Sequence, residues 1–494
     1  MTTPNVIEAQ ESLRIPRQIE RASTELKARF SSKLKLNSEL TRALVSFQAN
    51  KKLSGYRWFK FKEGFSYPLV EYVLNSLSVF SGKIIDPFAG SGTALFAASV
   101  RGMDAVGIEV LPIGCEIIRA RKAALQNRRR ITAAIQEWIK KKPWRNSKEE
   151  GIAFPHLRIT AGAFSGDNEK QLESYLAALG QIRDKATESV LRLAVLSILE
   201  QISYTRKDGQ YLRWDYRSGR CLGEKKFDKG KIEKFDDAIV NRLGQFSEDL
   251  EHRHDFFDQM TRGSGLGKID VISGSCLEEL PRLPSNSFDA LITSPPYCNR
   301  YDYTRTYALE LALLGTSEDL LRTLRQRMLS CTVENKEKGN LKEFYGSEDI
   351  ERAEEIFESQ KTLRLICEYL EKLRDNGLLN NPGILRMVRN YFWEMTLVIM
   401  ECARILKPNA PLVMVNDNVR YAGVAIPVDL ILSSIAEQIG FDVEAIWTLP
   451  IGKGNSSQQM GEHGREELRK CVYIWRTTKA KQAKRKGLEL ALQQ

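Results

Sequence analysis

The chain has little of what metal and redox chemistry need. Its 494 residues include four histidines and eight cysteines. Cys115, Cys221, Cys276, Cys298, Cys331, Cys367, Cys402 and Cys471 are scattered, and no two form a Cys-x-x-Cys pair. Neither a zinc framework nor a disulfide scaffold is indicated. His252 and His254 stand two apart, a spacing that shares no helix face and reads as a surface pair. No window approaches the roughly 18 uninterrupted apolar residues of a membrane span. The opening residues Met1-Thr2-Thr3-Pro4-Asn5 lead into no apolar signal core. The chain is therefore expected to be cytoplasmic, with neither a metal nor a membrane partner.

Charge of neither sign dominates. Lys and Arg total 74 and Asp and Glu 63, a surplus of +11, which permits a polyanionic partner without identifying one. Apolar residues make up 42% and charged residues 28%, so disorder over the whole chain is excluded. The length predicts two or three domains, or one core with large insertions.

Residues 1–50 read as an N-terminal helical arm, amphipathic over 38–47. From Lys83 a βαβ rhythm begins. Lys83-Ile84-Ile85-Asp86 is a strand ending in an acid, and Pro87-Phe88-Ala89-Gly90-Ser91-Gly92-Thr93 is a glycine-rich turn. Residues 94–101 form a small, apolar helix, and 104–109 a second strand ending in Glu109. Such a unit implies a parallel sheet with a right-handed crossover. The rhythm lapses over 126–265, which reads as an insertion. It resumes at 269–272 and 288–293, the latter running into Ser294-Pro295-Pro296-Tyr297. Residues 316–388 are charged and helical, a second insertion or lid. A helix at 391–406, strands at 411–415, 441–449 and 471–475, and a helix at 430–440 complete the pattern. A basic tail follows.

The turn lacks the third glycine of a dinucleotide fingerprint and the Gly-Lys-Ser/Thr of a P-loop. A dinucleotide or nucleoside triphosphate is thus disfavoured. Gly90 and Gly92 allow close backbone approach to a ligand, and Glu109 stands where α/β folds grip ribose hydroxyls. In Ser294-Pro295-Pro296-Tyr297 the prolines remove two backbone donors and leave carbonyls free to accept. A hydroxyl, free carbonyls and an aromatic ring at a sheet edge suit a flat base carrying an exocyclic amine. No cysteine follows a proline, which argues against a covalent C5-cytosine mechanism.

These motifs resemble the S-adenosylmethionine-dependent amino-methyltransferases of DNA. Residues 86–93 are similar to that family's cofactor motif, Glu109 to its ribose-binding acid, and Thr293-Ser294-Pro295-Pro296-Tyr297 to its catalytic motif. Phe65-Ser66-Tyr67-Pro68-Leu69-Val70 resembles the segment closing over the methionine end. Residues 404–408 and 441–444 look like the family's later strands. The resemblance covers 51–125 and 266–476. It implies an α/β, Rossmann-like class I methyltransferase with a mostly parallel central sheet, a large inserted recognition region and a helical insertion. The implied organisation is an arm (1–50) and core segments at 51–125, 266–315 and 389–476. Between and after them lie a target-recognition insertion (126–265), a helical insertion (316–388) and a basic tail (477–494).

By the same resemblance S-adenosyl-L-methionine is the cofactor, bound by Phe65, Ser66, Asp86, Pro87, Phe88, Gly90, Gly92, Thr93, Glu109 and Ser275. Ser294, Pro295, Pro296 and Tyr297 are catalytic. A serine at 294 favours N4 of cytosine, with N6 of adenine the alternative on the same scaffold. RNA base methylation and an idle DNA-binding fold are further alternatives. The expected partners are double-stranded DNA and a cognate restriction endonuclease or other defence component. Two departures stand out. Gly274-Ser275-Cys276 lacks the acid the family often places there for the adenine. The basic insertion also falls between the second and third sheet strands, outside the usual sites of a recognition domain.

The insertion carries two expected DNA-contacting stretches. One is the basic run 119–145, with Arg128, Arg129 and Arg130 at its centre. The other is the loop 204–217, where Arg206, Lys207, Tyr211, Arg213 and Trp214 interleave basic and aromatic residues, a pattern suited to phosphate contact and stacking. The polar segment 455–460 could line the site.

Overall fold

The computed structural model describes residues 4–145, 151–208, 212–220, 226–251, 265–450 and 468–478. Tyr211, Cys221, the His252/His254 pair, the segment 455–460 and the tail from 479 lie outside them.

The strands are β1 (Leu34–Leu36), β2 (Lys83–Asp86), β3 (Asp104–Glu109), β4 (Thr205–Lys207), β5 (Leu212–Trp214), β6 (Ile269–Ser273), β7 (Ala290–Thr293), β8 (Pro411–Asp417), β9 (Val419–Tyr421), β10 (Val424–Ile426), β11 (Phe441–Thr448) and β12 (Lys470–Thr477). Eight of them form one sheet in the order β1-β11-β12-β8-β7-β2-β3-β6. From β8 to β6 every neighbouring pair is parallel. Only β12 runs against its neighbours. The short apolar runs read as buried strands thus form the expected mostly parallel, Rossmann-like sheet. Chain order reverses direction between β2 and β7, which opens a crevice at the carboxyl ends of those strands.

Adjacent residues of each strand feed opposite faces of the sheet, because side chains alternate along a strand. Ile84 joins one apolar layer and Ile85 the other. The first layer holds helices α2 (Tyr67–Ser76), α3 (Thr93–Val100) and α4 (Pro112–Gln126). The inserted helices α5 (Arg128–Lys141), α6 (Gly166–Gly180), α7 (Lys185–Ile202) and α8 (Phe235–Glu251) pack into the same layer. The second layer holds the helices Ser347–Glu358, Lys361–Asp375, Gly383–Ile405 and Val428–Ile439. The first helix of the chain, Pro4–Arg29, adds Ile15 and Ile19 to it. Both insertions therefore extend the layers of the sheet and share their apolar cores.

Two local expectations fail in the arm. No helix forms over 38–47, where turns bury Leu40 and Val45 and lead to a 3-10 helix at Phe47–Lys52. Leu34–Leu36 instead pairs with β11 as an edge strand. Three residues are too few to show a strand period.

Candidate active site

Asp86 closes β2, and the glycine-rich turn carries the chain from it into α3. Gly92 caps that helix at φ +78°, and a Cβ there would stand 2.8 Å from Ile118. The side chain of Glu109, at the end of β3, gathers this turn. Its carboxylate accepts hydrogen bonds from the amides of Gly90 (2.6 Å) and Leu111 (2.7 Å). The approach needs Gly114, since a Cβ there would lie 2.6 Å from the Gly90 carbonyl and 2.7 Å from Glu109 Cγ. Asp86 accepts from the Phe88 amide (3.0 Å) and the Thr293 hydroxyl (2.6 Å). Burial pushes Asp86 up to about 7 and Glu109 up to about 8, the negative charge of Asp86 adding to the rise at Glu109.

A cavity of about 720 Å³, open mouth included, lies at this sheet edge. Phe65, Asp86, Pro87, Phe88, Gly90, Thr93, Glu109 and Ser275 line it, as do Ser294 and Pro296. Ser66 and Gly92 do not: their place is structural. Ser66 is fully buried, donates to the Leu44 carbonyl (2.5 Å) and accepts from the Leu69 amide (3.3 Å), capping α2. Ser275 contributes to the wall, but its hydroxyl is committed. It donates to the Arg327 carbonyl (2.6 Å) and accepts from the Leu277 amide (3.3 Å).

Ser294 follows β7 and faces this cavity. Its hydroxyl lies 3.4 Å from that of Tyr297, which lines a second open cavity of about 790 Å³. Pro295 is buried and lines neither cavity. Glu63 and Tyr303 line both, so the two cavities abut at these residues. Glu63 also accepts hydrogen bonds from the hydroxyls of Tyr301 and Tyr307. Behind Tyr297 the Lys470 ammonium stands 5.9 Å from the ring centre and pairs with Asp417 at 3.0 Å. Burial and the Asp417 carboxylate push the Tyr297 phenol up to about 12. Glu63, Asp417 and Lys470 were not foreseen. The spacing of Tyr297, Tyr301, Tyr303 and Tyr307 is the sequence feature from which an aromatic surround could have been read.

The basic run 119–145 divides. Arg121 is buried and donates to three main-chain carbonyls, Gly55 (2.9 Å), Tyr56 (3.0 Å) and Ser91 (2.8 Å). It therefore braces the cofactor-type turn from behind, and burial lowers it to about 10. Arg128 donates to the Leu250 carbonyl at the end of α8, so it closes that helix rather than presenting a free cation. Arg130 bonds Asn127 (3.0 Å) and pairs with Asp184 (3.3 Å). Arg129 is exposed.

The loop 204–217 holds the hairpin of β4 and β5, and strand alternation sorts its side chains. Arg206 and Arg213 oppose each other on the exposed face. Lys207 and Trp214 point inward: Trp214 is withdrawn from the surface, while Lys207 lines the second cavity together with Glu63 and Tyr297. Lys207 is 8% exposed, pairs with the buried Glu310, and its ammonium lies 4.6 Å from the Tyr307 ring centre. Trp214 is covered by the Arg220 guanidinium at 4.0 Å.

Among the described residues, no group of three or more His, Cys, Asp or Glu could hold a metal ion. No described helix is long and apolar enough to cross a membrane.

No family model matches the chain. It is 51% identical over 474 residues to a protein named Type II methyltransferase M.AvaI, from Nostoc sp. and from Anabaena variabilis, covering 94% of this chain and 95% of that protein. It is 41% identical over 479 residues to Type II methyltransferase M.BsoBI of Geobacillus stearothermophilus, covering 93% and 92%. The cavity joins apolar walls to two buried carboxylates at the sheet's switch point, a donor set that fits a nucleoside bearing positive charge. The chain belongs to the type II DNA methyltransferase family, whose methyl donor is S-adenosyl-L-methionine.

Proposed function

We propose that the chain methylates the exocyclic N4 of cytosine at a specific site in double-stranded DNA, as the protective partner of a restriction endonuclease. The observation that carries this reading is the position of Ser294, which lines the first cavity with its hydroxyl 3.4 Å from that of Tyr297 in the wall of the second. One cavity has the turn and acid for the cofactor. The other has Tyr297 and the breadth for a planar base turned out of the duplex.

S-adenosyl-L-methionine, when bound, supplies an electrophilic methyl group. Glu109 is the acceptor for the ribose hydroxyls, and Asp86 sets negative charge near the cationic end. Pro295, buried and lining neither cavity, holds the backbone of the motif, and the Ser294 hydroxyl accepts a hydrogen bond from the base amine. This weakens the conjugation of the nitrogen lone pair with the ring and aims it. The Tyr297 ring gives a stacking face. No residue acts as a covalent nucleophile, and most of the rate comes from positioning. Phosphate contact falls to Arg206 and Arg213, which share the exposed face of the hairpin. Like charges held opposite one another repel, and a polyanion relieves that repulsion. Identification of the modified nucleoside in DNA treated by the chain tests this function.

A further inference from the structure

Strand order fixes which end of the cofactor lies where. The sheet runs β7-β2-β3-β6 across the cavity floor. The reacting end must face Ser294, after β7, and the ribose must reach Glu109, at the end of β3. The purine then continues past β3 to the end of β6, where Gly274, Ser275 and Cys276 line the cavity. The usual acid is missing there, and the Ser275 hydroxyl is already spent on Arg327 and Leu277.

The other residues lining the cavity include Val110 and Leu111, next to Glu109, and, from far along the chain, Met328 and Leu329, 5% and 2% exposed. The latter two belong to the helical insertion after the catalytic strand, and they are held on both sides. On one side Ser275 bonds the Arg327 carbonyl, and the Arg327 guanidinium bonds Glu278 through Nε at 3.0 and 3.1 Å and through Nη2 at 2.5 Å. On the other, Ser330 gives its amide (2.7 Å) and hydroxyl (2.6 Å) to the buried Glu394 carboxylate, which also pairs with Lys338. The ammonium of Lys338 reaches Ser330 as well, at 2.8 Å. A two-residue apolar step with both flanks anchored is a preformed wall, and little ordering is lost when a flat ring docks on it.

We infer that Met328 and Leu329 form the adenine-binding wall of the cofactor site, replacing recognition by an acid with apolar contact delivered by the insertion. The inference rests on S-adenosyl-L-methionine occupying this cavity. It makes the insertion part of the cofactor site itself, with Glu278 and Glu394 as the anchors of its wall.

Photolabelling of the wild-type chain with 8-azido-S-adenosyl-L-methionine, followed by peptide mapping, tests this without any variant. Label on the peptides containing 275–276 and 328–329, displaced by excess S-adenosyl-L-homocysteine, is the expected result. Displaceable label confined to peptides around 61–65 or 294–297 would overturn it. Failure of the wild-type chain to bind S-adenosyl-L-homocysteine by calorimetry would remove the cofactor assignment, and the inference with it. Met328→Ala with Leu329→Ala, shown to be folded by its thermal transition, should weaken S-adenosyl-L-homocysteine by about tenfold or more, the scale of lost apolar contacts in a pocket. Unchanged affinity in that folded variant would also overturn the inference.

Discussion

The Thr293 hydroxyl donates to the Asp86 carboxylate at 2.6 Å, tying the last residue of the catalytic strand to the last residue of the strand that opens the cofactor turn. Strands β2 and β7 are parallel neighbours, so this bond joins the two motifs at their origin. Thr293→Val keeps the shape and removes the donor. A buried carboxylate losing such a partner costs about 1–3 kcal/mol. The variant should lower the unfolding midpoint and raise the pH at which Asp86 ionises, because the Thr293 bond favours the charged form. A pH titration of cofactor affinity, shifted alkaline in Thr293→Val, is the check.

With Glu109 as the proposed ribose acceptor, stability and cofactor affinity should respond to pH in opposite directions. Its carboxyl is raised from 4.5 to about 8 in the folded chain, mainly by burial. The folded state therefore binds more protons than the unfolded state between those values. The stability from this group is fully present below 4.5 and is lost as pH rises through about 8. In the function proposed above the ionised form accepts the ribose hydroxyls, so affinity for S-adenosyl-L-homocysteine should rise over the same range. Glu109→Gln should remove the part of both profiles that titrates near 8, leave the Asp86 part near 7, and bind about tenfold more weakly at pH 8.5, the effect of one lost charge-assisted bond. Thermal scans and calorimetry across pH measure the two slopes.

Gly114→Ala places a methyl against the Gly90 carbonyl and the Glu109 side chain. Backbone on one side cannot yield as a flexible chain end would. Overpacking of this kind costs about 1–3 kcal/mol. The expected result is a cofactor dissociation constant raised at least about tenfold while DNA affinity is kept. Equilibrium binding of each ligand separates the two.

On the hairpin, surface and buried cations should behave differently. Arg206→Ala with Arg213→Ala should weaken DNA binding and reduce the slope of log K against log salt by about two, one unit for each lost phosphate contact. Their thermal transition should stay in place. Lys207→Met should do the reverse of the latter. It leaves Glu310 buried without its cation, a change worth about 3–5 kcal/mol of stability.

Much of the fold was legible because buried parallel strands write themselves as short apolar runs. Residues 83–86, 104–109 and 288–293 stood out, where the structure has β2, β3 and β7. The glycine-rich turn was legible for a local reason: Gly90 and Gly92 are required by backbone geometry. Edge strand β1 was not, being too short for a period. Nor was the role of Arg121, since a basic residue in a basic run gives no sign of being buried on three carbonyls. Pairings such as Asp417 with Lys470 or Glu394 with Lys338 join residues far apart in the chain, and no local pattern records them. The inward placement of Lys207 and Trp214 was not legible, because alternation within a three-residue strand is invisible until its partner fixes which face is out.

The most direct test of the central claim is nucleoside mass spectrometry on DNA from a methylation-free host expressing the chain, beside a Ser294→Ala control. The account predicts N4-methylcytosine that disappears in the control. N6-methyladenine would contradict the reading of Ser294 as selecting cytosine, and an unmodified genome would contradict the assignment of DNA as the substrate of this chain acting alone.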